Sequence, residues 1–354
     1  MVSDWRVLPV PLGKIACRRC GLVSRREDDL DAALYANGYT LYAHAPGAAF
    51  ERARQSRYAG WIADAVNGHT RAAPRRIVDV GCGNGSLLLA LRAAWPAAEL
   101  SGCDPSADAI AHADGCLRLW HGTSATLAPG EADLVVAVNV IEHTPDPVAF
   151  LDDVRRACEP KGLAVIVCPD GGVPGVELLF ADHLHSFGMP HLHALAARAG
   201  LMPIATLTAP PDLGAFQMLV AEGAAPADGP AVCGDPRALN DRRAAMLRRW
   251  AALDDHLTTR VTGDAVCFGV GEAAGLLRAY APRTWARVRA CTADRQALNP
   301  ASPRFGELPI VPLDTLPPQT HVLVGVRPGD QAAVRERLVR QFTAVTTWYD
   351  LVED

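Results

Sequence analysis

The sequence predicts an α/β protein: a parallel sheet flanked by helices in the middle of the chain, with a second, smaller α/β unit toward the C-terminus. Three observations predict it. The stretch "RRIVDVGCGNGSLLLALR", residues 75–92, reads as a buried strand, a glycine-rich turn and the start of a helix. Such a turn lets a ligand approach backbone N–H groups closely. Residues 73–222 alternate short apolar runs with helical segments, the pattern of a parallel sheet. Finally, "AVCFGVGEAAGLLRAY", residues 265–280, opens a second strand–turn–helix unit.

Bulk properties bound the rest. A chain of 354 residues, 49% hydrophobic and 21% charged, is long enough for two or three globular domains. No apolar run is long enough to cross a membrane. The opening "MVSDWRVLPVPLG" lacks the basic flank and apolar core of a secretory signal. Ten scattered cysteines suit a reducing compartment, and the expected location is the cytoplasm. A net charge of −5 argues against nucleic-acid binding, and no membrane partner is expected. Nearly all positive charge is arginine, Lys14 and Lys161 being the only lysines. With the abundant alanine, this reads as a genomic bias in composition.

The elements follow in order. Residues 1–72 form an N-terminal cap with "CRRCGLVSRRE" and a helical stretch, "YAGWIADAV". Residues 73–222 hold apparent strands at 76–81, 98–103, 133–138 and 163–168, with "MPIATLTA" and "FQMLVAE" closing the sheet. A Pro- and Gly-rich linker, "EGAAPADGPAVCGDP", then leads into a helix over about 237–260, together spanning 223–263. Residues 264–354 form the smaller unit, closed by the helix "GDQAAVRERLVRQF".

The glycine turn can serve two kinds of nucleotide. Its glycines stand at 81, 83 and 85, and a dinucleotide fingerprint wants G-x-G-x-x-G, which fails at Ser86. Asp79 lies inside the strand, a costly place for a charge without polar neighbours. Asp104 stands at the tip of the next strand, suited to accept both hydroxyls of a ribose. Three blocks, "VDVGCGNGSLLLAL", "LSGCDPSADAIAHA" and "ADLVVAVNVIEHTPDPVAFLDDVRRACEPKGLAVIVCPD", together resemble the class I S-adenosylmethionine-dependent methyltransferases over about 100 residues. The resemblance implies a Rossmann-like seven-stranded sheet and S-adenosyl-L-methionine as cofactor. By it, Asp79, Gly81, Cys82, Gly83 and Gly85 line the methionine and ribose side. Asp104 takes the ribose hydroxyls, Pro105 and Ser106 meet the adenine edge, and Gly122 and Thr123 approach the adenine. Asn139, Val140 and His143 close the pocket near the sulfonium.

Four histidines, His183, His185, His191 and His193, crowd "ADHLHSFGMPHLH". A zinc site is one reading of them and a gating loop of solvent-facing imidazoles is another. The block Asp182-His183-Leu184-His185-Ser186-Phe187 is similar to that of the C-methyltransferases acting on nucleotide-linked keto-deoxysugars. That family also has a C-terminal Rossmann-like domain, and the tail through "PIVPLDTL" resembles it. The resemblance implies carbon methylation of a nucleotide-linked keto-sugar or related secondary metabolite, as in antibiotic biosynthesis. The catalytic candidates are His183 oriented by Asp182, with His185 in reserve and His143 as pocket wall or base. O- or N-methylation of another natural product is the runner-up.

Departures from that family are plain. Its N-terminal zinc domain carries two cysteine pairs, whereas Cys17 and Cys20 supply one, short of four ligands unless a distant residue such as His44 joins. No metal is therefore expected, short of a degenerate zinc site. Asp182 stands for a glutamate and Phe180 for a tyrosine. A rival reading takes Gly269, Gly271 and Gly275, followed by Asp294, as an NAD turn, though the spacing is one residue off and Glu272 would repel phosphates. A third makes the chain a non-catalytic S-adenosylmethionine-binding partner. The sequence leaves the oligomeric state open.

Overall fold

The computed structural model describes residues 1–8, 11–25, 47–70, 72–111, 115–229, 235–294 and 304–352. The chain divides into two compact units: residues 10–42 with 52–240, and residues 1–9 and 43–51 with 241–354.

The larger unit is built on seven strands: β3 (Arg76–Val80), β4 (Glu99–Asp104), β5 (Arg118–His121), β6 (Ala132–Val138), β7 (Cys158–Pro169), β9 (Leu201–Thr208) and β10 (Phe216–Gly223). Their order is β5-β4-β3-β6-β7-β10-β9, with β10 antiparallel to both neighbours and the β5-to-β7 ladder parallel. Side chains alternate across the sheet as a strand requires. Ile77, Leu134 and Val136 pack with Tyr58, Ile62, Leu88 and Leu91 on one face. Val78, Val80, Val135 and Ala137 pack with Phe150, Leu151, Val154 and Leu192 on the other. Helices therefore cover both faces, which is why these strands read as unbroken apolar runs. β5 is the strand that periodicity missed, because its four residues, Arg-Leu-Trp-His, have no buried member.

Local chemistry sets the helix ends. The helix Pro147–Ala157 starts where Asp146 accepts hydrogen bonds from Val148 and Ala149 N–H, with Pro147 in the first turn. Arg155 and Arg156 lie in its last turn, where cations complement the helix dipole.

A three-stranded sheet completes this unit: β1 (Lys14–Ala16), β2 (Val23–Arg25) and β8 (His185–Ser186), each neighbouring pair antiparallel. It fastens residues 14–25 to the histidine-bearing segment. His191 braces the joint, accepting at Nδ1 from Gly188 N–H at 2.9 Å and reaching the Cys20 carbonyl with Nε2 at 2.9 Å.

The smaller unit has a four-stranded parallel sheet from β11 (Ala265–Phe268), β12 (Val288–Thr292), β15 (His321–Val324) and β16 (Ala344–Thr346), in order β12-β11-β15-β16. A short ladder, β13 (Arg304–Phe305) with β14 (Leu308–Pro309), lies between. Asp254, buried on the helix Arg237–Arg260, accepts from the N–H groups of Arg283 and Thr284, the Thr284 hydroxyl and the Arg283 guanidinium. Among the described residues no helix is long and apolar enough to cross a membrane.

Candidate active site

The parallel strands of the larger sheet deliver the expected nucleotide-binding residues to one edge, at their C-terminal ends. After β3 the chain turns through Gly81, Gly83 and Gly85, with φ of 74°, 53° and 81°. These left-handed values suit glycine. At Gly81 the need is also steric, since a Cβ there would meet Val140 Cγ2 at 2.5 Å. The turn is hung on the end of β4. Gly81 and Cys82 donate to the Cys103 carbonyl at 2.8 and 3.1 Å, and Gly83 N–H donates to Asp104 Oδ2 at 2.8 Å. Asp104 Oδ1 accepts from Ser106 N–H at 2.8 Å, and the Asp104 carbonyl from Gly122 N–H at 2.9 Å. The Pro105 carbonyl meets His121 Nε2 at 3.0 Å, and Thr123 ends the neighbouring connection.

The sheet thus brings together Asp79, Gly81, Cys82, Gly83, Gly85, Asp104, Pro105, Gly122, Thr123, Asn139 and Val140. Burial pushes the Asp79 carboxyl well above the usual range, and the charge of Asp104 adds to this. Burial also raises Asp104, against the lowering by the Ser106 and Gly83 N–H groups and by His121. Two buried acids side by side favour a cationic ligand group and a diol donating to the spare lone pairs of Asp104. Asn139 holds a left-handed φ of 58°, and its buried Oδ1 has no hydrogen-bond partner. The residues present fit S-adenosylmethionine. Ser106 departs from its expected place: its N–H binds Asp104 and its Oγ accepts from Ala109 N–H, so it caps the helix Ala107–Ala111.

The histidines separate. His183 and His143 come together edge to face, ring centroids 4.8 Å apart. Two acids, Asp182 and Glu177, stand beside this pair, and the Asp182 charge also acts on His183, against the effect of its burial. Asp182 serves His143, whose Nδ1 lies 2.9 Å from the Asp182 carbonyl and 3.8 Å from its carboxylate. The acid facing His183 is Glu177, at 3.7 Å from Nδ1. His183 lies buried against Phe180, not toward solvent as a gating loop would place it. Burial, and then the nearby His143, hold its imidazole well below the ordinary histidine range. His185 stands off in β8, Nδ1 3.3 Å from Ser24 Oγ and ring 5.4 Å from Phe187. His191 is the brace already described, so the four do not form a zinc set.

Three members were missed. Glu142, buried beside His143, has its carboxyl pushed up to about 7 by burial. Glu177 donates nothing visible to a sequence pattern; its Oε1 accepts from Ser186 Oγ at 2.6 Å. Lys14 Nζ donates to the His183 carbonyl at 2.5 Å, and burial lowers its amine to about 8. Its signal was rarity, one of two lysines in an arginine-rich chain.

Elsewhere, Cys17 and Cys20 form a tight hairpin knuckle, Gly21 N–H donating to the Cys17 carbonyl. His44 lies outside the described residues, as do 295–303 of the tail. In the smaller unit Gly269 turns back on β12 through the Thr292 carbonyl, and Asp294 is engaged by Arg337 at 2.9 and 3.0 Å.

Residues 50–206 match the family described as Methyltransferase domain. Among curated proteins, the domain is similar to a trans-aconitate 2-methyltransferase of Rhodopseudomonas palustris, 30% identical over 132 residues, 36% of this chain and 51% of the relative. It is also similar to a ubiquinone biosynthesis O-methyltransferase of Methylococcus capsulatus, 36% identical over 107 residues, 27% of this chain and 44% of the relative. The chain spans about half the length of the curated relatives it matches. Among solved structures, the 1,6-didemethyltoxoflavin N1-methyltransferase of Burkholderia thailandensis aligns with a TM-score of 0.40 at 18% identity, over 55% of this chain and 85% of that one.

Proposed function

We propose that this chain is an S-adenosylmethionine-dependent methyltransferase acting on a small molecule. The observation that carries the reading is the Asp104 cradle: a buried carboxylate pinned by Gly83 and Ser106 N–H, beside a turn left open by glycine and next to Asn139. When bound, the cofactor supplies an electrophilic methyl group. Asp104 would hold its ribose, Asp79 and the glycine turn its methionine part, and Gly122 and Thr123 its base. Transfer then depends chiefly on holding the acceptor atom in line with that methyl. Activation of the acceptor is assigned to the buried cluster just past Val140, where His143 and His183 meet.

For the acceptor, the Asp182–Phe187 block favours the carbon beside a ketone in a nucleotide-linked sugar, with a role in secondary metabolism. That reading needs a proton removed and an enolate held at the cluster. A second reading, O-methylation, has support from the similarity to a ubiquinone biosynthesis O-methyltransferase.

The test is calorimetric titration of thymidine diphosphate into protein saturated with S-adenosylhomocysteine, followed by transfer of labelled methyl from S-adenosylmethionine to keto-sugar nucleotides and to phenolic and carboxylic acceptors. Labelled product supports methyl transfer, and a new C–CH3 signal by NMR supports the carbon acceptor. No cofactor binding would overturn the whole reading; product on oxygen alone would leave the enzyme and discard the sugar.

A further inference from the structure

The cluster past Val140 contains more than a base would require. Glu142, His143 and His183 each offer one ligand atom, and these atoms all lie within 4.8 Å of one another. Glu142 is 1% exposed, and neither carboxylate oxygen has a hydrogen-bond partner among the described residues. His183 is 5% exposed, and its Nδ1 likewise has no hydrogen-bond partner. A carboxylate taken out of water with no donor is costly, and burial on both sides leaves water little room to help. What would satisfy two such groups at once is a cation between them.

His143 is set up as a ligand should be. Its Nδ1 lies 2.9 Å from the Asp182 carbonyl, which can only accept, so the proton sits on Nδ1 and Nε2 is the nitrogen with a ligand's lone pair. An imidazole oriented through its other nitrogen by a carbonyl or carboxylate is the usual arrangement behind a metal.

We propose that Glu142, His143 and His183 form a binding site for a divalent transition-metal ion. Two imidazole nitrogens and one carboxylate oxygen suit zinc, cobalt or ferrous iron, and not magnesium or calcium, which take oxygen ligands. Bonds of about 2.0–2.2 Å around one ion set ligand atoms roughly 3.4 Å apart, so modest side-chain rotation from the present spacing closes the site. The surroundings suit a cation: three buried acids, Glu142, Glu177 and Asp182, stand against two basic side chains, Lys14 and Arg25. Three protein ligands leave a coordination position for water or for an oxygen of another molecule. Glu142 and His143 follow Asn139 and Val140 closely in the chain, where the proposed function puts the methyl acceptor. Metal binding stands on the cluster alone; only its use, polarising an acceptor oxygen and acidifying the group to be methylated, rests on the proposed function.

The full chain, stripped by chelator and dialysed, is titrated with Co2+ under a visible spectrometer, with Zn2+ as competitor. The expected result is one equivalent bound at the cluster, with weak d–d absorption, no intense near-ultraviolet thiolate band, and displacement by Zn2+. Cys17→Ser/Cys20→Ser should keep this signal, whereas Glu142→Gln, His143→Ala and His183→Gln should each weaken binding at least tenfold. Far-ultraviolet circular dichroism and thermal melting show that each variant is folded, and the three independent substitutions guard against one failing to fold. Absence of Co2+ binding in the unsubstituted chain overturns the proposal, as does a thiolate-type spectrum that only the cysteine pair abolishes. Metal bound without any methyl transfer would retain the site and discard the function; transfer unaffected by chelation, with no metal bound, would do the reverse.

Discussion

Asp104→Asn tests the cofactor cradle most directly. In the native chain the carboxylate accepts from Gly83 N–H at 2.8 Å through Oδ2 and from Ser106 N–H at 2.8 Å through Oδ1. Asparagine has one acceptor oxygen, so its amide NH2 must confront one of these N–H groups. The result is an unsatisfied buried donor, about 1–3 kcal/mol. The spare lone pairs offered to a ribose diol also lose their charge, and hydrogen bonds to a charged group contribute roughly 1.5–3 kcal/mol. The first effect falls on both free and bound protein; the second falls on binding. S-adenosylhomocysteine should therefore bind about 10–150-fold more weakly, since roughly 1.4 kcal/mol is a tenfold change. Titration calorimetry reads the dissociation constant, and thermal melting without ligand reads the fold. An affinity within twofold of the native value, in a folded variant, would refute the assignment of Asp104 to the ribose.

The remaining predictions concern other parts of the chain. Gly81→Ala must place a side chain at φ 74° and push against Val140; a cost of about 1–2 kcal/mol from the backbone alone should appear as a lower melting temperature and a larger loss of cofactor affinity, and a neutral result would contradict the close approach. Asp254→Ala leaves the N–H groups of Arg283 and Thr284 and the Thr284 hydroxyl without their acceptor and should destabilise by about 2–4 kcal/mol in urea unfolding. Burial opposes ionisation of Asp254, but its donors outweigh it and hold the carboxyl below its ordinary value. Its contribution is therefore present above the unfolded carboxylate pKa of about 4 and is lost as pH falls through the lower folded value; acid titration of native and Asp254→Asn unfolding should show the difference narrowing there. His191→Ala removes the brace to Cys20 and Gly188 and should speed proteolysis at residues 14–25 several-fold, while unchanged cleavage would show that β-sheet pairing alone holds the hairpin.

Strands and their order of appearance were legible in the sequence wherever burial on both faces demanded apolar runs, as in Ile77–Val80, Leu134–Val138 and Leu163–Cys168. The half-exposed β5 carried no such demand and left no periodic mark. The turn hung on Asp104 was legible too, because a glycine turn and a strand-tip aspartate lie close together in sequence and their spacing is set by local backbone geometry. The sequence by itself therefore determined the α/β architecture and the glycine-turn edge of the larger unit. Only the tertiary structure decided the chemistry beside that edge. Lys14 reaches His183 across 169 positions through a strand pairing of two residues, Val23 with Ser186 and Ser24 with His185. The approach of Glu177 to His183, and the meeting of Glu142, His143 and His183, depend on how separate loops pack over the strand ends. Sequence spacing constrains neighbours along the chain; which buried carboxylate faces which imidazole is settled by long-range packing, where desolvation makes each such pairing matter.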